Sequence, residues 1–105
     1  MKNNSTNNTI VDKLPANCEF VETPFYKIYR YYATDIVKIE NNNNGTKIIL
    51  STGGYYTNST RKHMIDFLAR EGINIDIAFK IGKYAVYYNG REIPFNMKDV
   101  CEFYA

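Results

Sequence analysis

At residues 50–61 a strand-like run gives way to a helix-like one across Gly53 and Gly54, and this junction constrains the fold more than any other stretch. Upstream, Thr46, Lys47, Ile48, Ile49 and Leu50 combine β-branched and aliphatic side chains and read as a strand. Downstream, Thr57, Asn58, Ser59 and Thr60 each carry a short side-chain oxygen able to cap a helix. Met64, Ile65, Phe67 and Leu68 then fall on one broad face, with Gly72 suited to a left-handed stop, so a helix is expected over residues 61–71. Two adjacent glycines let the chain turn at φ > 0 or approach a neighbour closely, and a helix start beyond them offers unpaired N–H groups. The chain must therefore combine a sheet with a helix and expose the loop that joins them.

The flanking segments read as further strands. Aromatic and β-branched residues dominate positions 25–32, and Ile36, Val37 and Ile39 continue as a strand that Asn44-Gly45 turns back into residues 46–50, through a loop longer than the tightest hairpin. Ile75, Ile77, Phe79 and Ile81 alternate with polar or small residues, the period of a strand with one buried face. Gly82-Lys83 and Asn89-Gly90 punctuate two more strands, the last at a sheet edge because of Pro94. Asn96 is placed to cap a short C-terminal helix in which Met97, Val100, Cys101 and Tyr104 share a stripe. The expected architecture is α+β: a small antiparallel sheet made of a β-hairpin and a β-meander, covered by one central amphipathic helix, with a short helix at the end. Residues 1–23 are polar and carry Pro15, so they are expected to form a flexible arm ahead of a single domain at residues 24–105.

Composition narrows the function classes. A chain of 105 residues with 45% hydrophobic content holds one core and little room for an interdomain cleft. Thirteen basic and 11 acidic residues leave a formal charge of +2, which excludes both an acidic DNA mimic and a strongly basic nucleic-acid coat. Cys18 and Cys101 lie far apart without a metal-ligand cluster or C-x-x-C spacing and read as reduced thiols. The first residues lack an apolar signal core and no run is long enough to cross a bilayer, so a cytoplasmic protein without a membrane partner is expected.

No nucleophile–base pairing, metal spacing or nucleotide fingerprint is present, so no catalytic residue, metal or cofactor is expected, and binding is favoured over catalysis. His63 with Asp66 at i+3 is the nearest approach to acid–base chemistry, and such a pair on a helix is usually a solvated one. The candidate binding residues are Gly53, Gly54, Tyr55, Tyr56, Thr57, Arg61, Lys62 and Arg70. Arg61, Lys62 and Arg70, with Lys47, would give a basic patch beside the helix start, suited to phosphate. Tyr55 and Tyr56 would stack on a base or anchor a protein contact, although alternation along an extended segment sends one of the two inward. The pairs Tyr31-Tyr32 and Tyr87-Tyr88 allow the same reading.

The pattern Ile48-x-Leu50-x-Thr52-Gly53-Gly54-Tyr55-x-Thr57-x-x-Thr60-Arg61, followed by Asn89-Gly90-x-x-Ile93-Pro94-Phe95, resembles a family of small uncharacterised domains from phages and bacteria. Relatives usually carry Asn at the place of Ser51 and Trp or His at that of Tyr55. The resemblance implies a phage-associated origin and assigns no reaction. With small size and abundant tyrosine, it leads to an expected role as a non-enzymatic, phage-encoded inhibitor that occludes a host protein or ribonucleoprotein defence complex, of the anti-CRISPR or related anti-defence kind. The alternative is a nucleic-acid-binding accessory module that uses the Gly-Gly loop and the basic helix start.

Overall fold

Period-two alternation closed by two-residue turns builds most of the molecule. The structure is a computed structural model and describes residues 13–105. In chain order the elements are β1 (Cys18–Glu22), β2 (Tyr26–Tyr31), β3 (Thr34–Asn42), β4 (Gly45–Ser51), α1 (Asn58–Arg70), β5 (Asp76–Lys80), β6 (Lys83–Tyr88), β7 (Arg91–Pro94) and β8 (Val100–Tyr104). They form an antiparallel five-stranded sheet in the order β1-β2-β3-β4-β8 and an antiparallel three-stranded sheet in the order β5-β6-β7. The described chain is thus mostly β, with two sheets and one helix, which corrects the expected α+β fold of one helix-covered sheet and a second, C-terminal helix.

The C-terminal segment decides that correction. Met97, Val100, Cys101 and Tyr104 fit a helical stripe, but Cys101 and Phe103 also alternate with Glu102 and Tyr104, and the strand period wins. A helix over residues 97–104 would have only about two turns, too few to be stable by itself, whereas pairing Ile48 with Phe103 and Leu50 with Cys101 satisfies backbone groups of both strands and buries these side chains. Asn96 closes a turn rather than capping a helix, its Oδ1 accepting from Lys98 N at 2.8 Å and Val100 N at 3.2 Å. Asp99 ends that turn at φ 62.

Two further segments differ from expectation. Residues 18–22 of the expected arm are strand β1, in register with β2 from Cys18 opposite Tyr31 to Glu22 opposite Lys27; residues 1–12 lie outside the described residues. The β3–β4 turn is two residues long, with Asn42 opposite Gly45 and Asn42 Oδ1 accepting from Asn44 N at 2.8 Å, so Asn41 and Asn42 belong to the strand and Asn43 and Asn44 to the turn rather than to a long loop.

One core joins the layers. Val37, Ile39, Ile48, Leu50, Cys101 and Phe103 from the large sheet meet Met64, Phe67 and Leu68 of α1 and Ile77, Tyr84 and Val86 of the small sheet. Helix α1 starts three residues earlier than its apolar face suggests because Thr57 is the N-cap, its hydroxyl accepting from Thr60 N at 3.1 Å. It ends as expected at Gly72, φ 80, where Gly72 N donates to Ala69 O and Ile73 N to Leu68 O. Both cysteines are free thiols, and burial pushes the Cys101 thiol up to about 12. Among the described residues no helix is long and apolar enough to cross a membrane.

Candidate functional site

The Gly-Gly junction is shaped by what lies beneath it. Thr52 is buried, and its N–H donates to Asp99 O at 3.2 Å, while its hydroxyl accepts from Gly54 N at 3.1 Å. Gly53 sits at φ 64, and a Cβ there would lie 3.1 Å from Thr34 Oγ1, so glycine is required both by conformation and by the close approach of the β2–β3 turn. Asp99 anchors the other side. Its Oδ1 accepts from Tyr56 Oη at 2.7 Å and lies 3.6 Å from Lys83 Nζ, so one residue ties β4, the 52–57 loop and β6 to the start of β8.

The structure separates the sequence-predicted residues by task. Tyr55 points outward and is exposed, whereas Tyr56 turns in, edge-on to Tyr84 and Phe95; burial and the Asp99 bond hold its phenol up at about 12. Thr57 is a cap. Arg61 Nη1 donates to Ile77 O at 3.0 Å, and its guanidinium lies 6.0 Å from the Phe79 ring centroid. Asp76 Oδ1 accepts from Ile77 N at 2.8 Å, so both backbone groups of Ile77 on edge strand β5 are occupied. Lys62 is exposed. Arg70 lies nine residues beyond Arg61, ~13 Å along the helix, paired with Asp66 at 3.1 Å. Lys47 pairs with Glu102 at 3.3 Å on β8. The expected basic patch is therefore not assembled.

His63 is a packing residue in this arrangement. Its ring lies edge-on to Tyr31 at 4.6 Å and parallel to Phe67 at 5.6 Å. Burial lowers its pKa against the pull of Asp66, and Asp66 is engaged by Arg70, so no oriented acid–base pair results.

What the junction does assemble is a cleft. Three segments meet at it: the β2–β3 turn with Tyr31, Tyr32 and Thr34, the Gly-Gly loop with Thr52 and Tyr55, and the first turn of α1 with Thr57, Ser59 and Thr60. Its volume is about 480 Å³ and its walls, which include Ala33 and Ile36, are mainly apolar and carry no charged side chain. The Tyr31 and Ser59 hydroxyls meet at 2.8 Å across it, and the Tyr31 and Tyr32 rings lie 4.7 Å apart. Tyr32 is exposed at φ 53, a left-handed conformation that a bulky side chain rarely adopts. Of the predicted binding residues the cleft gathers Tyr55 and Thr57, with Gly53 shaping a wall; it adds Tyr31, Tyr32, Thr34 and Ser59. The Tyr31-Tyr32 pair was the available signal for these, and Asp99 carried none.

No family model, curated protein or solved structure matches this chain.

Proposed function

We propose that this chain is a non-enzymatic binding protein that engages another protein through the cleft between Tyr31, Tyr32 and Tyr55 and acts by occluding it. The single observation that carries the reading is an open, uncharged cleft with three tyrosines at it, one of them held in a strained conformation while exposed. Tyrosines of this kind supply contact area at low entropy cost and recur at the energetic centres of protein interfaces. The motif resemblance gives the proposal its specific form: a phage-encoded inhibitor of a host protein or defence complex, acting in the host cytoplasm. The nucleic-acid alternative has less support, because Arg61, Arg70 and Lys47 are engaged on Ile77, Asp66 and Glu102 rather than grouped at the helix start.

The test is site-specific photo-cross-linking in bacterial cells, with a benzophenone amino acid at position 55 in one protein and at position 87, an exposed tyrosine on β6, in another. A discrete protein adduct at 55 and none at 87 is expected. Equal adducts at both positions, or adducts to RNA or DNA alone, would reject the reading.

A further inference from the structure

We infer that the cleft receives one aromatic side chain of the partner polypeptide, with an acidic residue next to it in that partner. The inference rests on the protein-binding reading above and names the chemistry of what enters. The cleft of about 480 Å³ lies within the ~300–1,000 Å³ usual for small ligands, so it has room for a bulky side chain together with the residue beside it and none for a folded element. Its walls hold no charged side chain, so the inserted group is uncharged. The rings of Tyr31, Tyr32 and Tyr55 offer faces and edges to a second ring, and the facing Tyr31 and Ser59 hydroxyls offer both donor and acceptor to a single indole N–H or phenol O–H.

Charge at the rim sets the neighbour. The first turn of α1 contains no acidic residue, leaving the positive end of the helix unneutralised where Thr57, Ser59 and Thr60 line the cleft. Lys62 is exposed one turn from Ser59, and the two carboxylates beside the cleft residues are already paired, Asp99 near Gly54 with Tyr56 and Lys83, and Asp35, next to Thr34, with Arg30 at 2.6 Å. A carboxylate beside the inserted ring meets attraction there and an ammonium meets repulsion. A nucleobase offers a similar planar face, but a strand of phosphates needs cations that Arg61, Arg70 and Lys47 do not supply at this rim.

The experiment is an amide chemical-shift titration of the full chain with blocked aspartyl-tryptophan amide, lysyl-tryptophan amide, aspartyl-alanine amide and uridine monophosphate. Aspartyl-tryptophan should saturate shifts at Thr34, Tyr55, Ser59 and Thr60. Lysyl-tryptophan should bind about two- to fivefold more weakly, a gap that closes with added salt. The alanine peptide and the nucleotide should give no saturable shift. Ser59→Asp, a carboxylate placed where a helix start tolerates it, should reverse the order of the two tryptophan peptides. Tryptophan peptides that shift amides elsewhere, that leave the amides unmoved, that bind no better than the alanine peptide, or that lose to the nucleotide would overturn the inference. A cross-linked partner at position 55 with no tryptophan-peptide binding sinks this inference and leaves the reading of the chain as a protein binder standing; peptide binding with no cross-linked partner rejects that reading and this inference with it, and leaves only a cleft that takes an aromatic ring.

Discussion

Replacing Gly53 with alanine tests whether the Gly-Gly loop is shaped by the cleft wall or only by its own turn. Two penalties add at this position. Gly53 lies at φ 64, and an L-residue in the left-handed region costs ~1–2 kcal/mol. The new Cβ would also lie 3.1 Å from Thr34 Oγ1 and 3.4 Å from Thr34 Cγ2, and Thr34, stiff at χ1 and fixed by its place at the start of β3, has little room to yield. Overpacking of this kind adds ~1–3 kcal/mol. Gly72→Ala is the matched control, because Gly72 has φ 80 and nothing within 4 Å of the built Cβ. Both substitutions share the left-handed penalty and the loss of unfolded-state entropy, so their difference isolates the contact. We expect Gly72→Ala to lose ~1 kcal/mol and Gly53→Ala ~3 kcal/mol, the latter lowering the thermal midpoint by roughly 15 °C in a chain of this size. Adding Thr34→Ala to Gly53→Ala should recover about half the loss. Thermal unfolding followed by circular dichroism reads all four proteins. Equal losses for the two glycine variants, or no recovery with Thr34→Ala, would refute the argument that the wall of the cleft holds Gly53 in place.

Three other outcomes follow from particular contacts. Ile81 at φ 51 and Gly82 at φ 74 form a turn of the type that favours Asn-Gly, as Asn89-Gly90 already does, so Ile81→Asn should raise stability by ~1 kcal/mol in urea titration. Asp99→Ala removes the acceptor for Tyr56 and the partner of Lys83 and places alanine at φ 62, for an expected loss of ~3 kcal/mol by the same titration, against ~1 kcal/mol for Asp99→Asn. Burial alone would raise the Glu71 carboxyl, but the bonds from Lys27 Nζ at 2.8 Å and Tyr29 Oη at 2.6 Å outweigh it and leave its pKa below the ordinary 4.5. That stabilisation is present above the unfolded value and is lost as pH falls through the folded one, so stability measured by urea unfolding from pH 6 downward should fall below about 4.5 in the parent and more shallowly in Glu71→Gln.

Local signals carried much of the fold. The β-branched run around Ile48, the alternating run around Ile77 and the turn-bounded run around Val86 became β4, β5 and β6, although of the expected buried face of β5 only Ile77 is buried and Phe79 and Ile81 are exposed, and the apolar face of Met64, Phe67 and Leu68 became the buried side of α1. The failures lie where partners distant in sequence decide. Residues 100–104 fit two periods at once, and the open edge of β4 selected the strand. Cys18–Glu22 is too short and polar to stand alone and becomes a strand only by pairing with β2. At the site, the alternation of Tyr55 and Tyr56 was legible from an extended backbone, but the dispersal of the cations was not. Arg61 turns to Ile77 because β5 passes the helix start, and no spacing in the sequence encodes that approach. Tyr31 and Tyr32 join the cleft for a similar reason: the β2–β3 turn is brought to the Gly-Gly loop by the contact of Gly53 with Thr34.

The central claim is that the tyrosine cleft exists for binding, and the most direct measurement is the affinity of Tyr32→Gly for the partner cross-linked at position 55, read beside the variant's thermal midpoint. Glycine relieves the strain at φ 53 but gives up the Tyr31 ring contact and the bond from Asn17 Nδ2 to the Tyr32 hydroxyl at 3.2 Å, so stability should change by no more than ~1 kcal/mol, while loss of an aromatic contact should weaken binding about tenfold or more. A variant that loses stability and keeps full affinity would contradict the account, because Tyr32 would then serve the fold and the cleft would not be the binding surface.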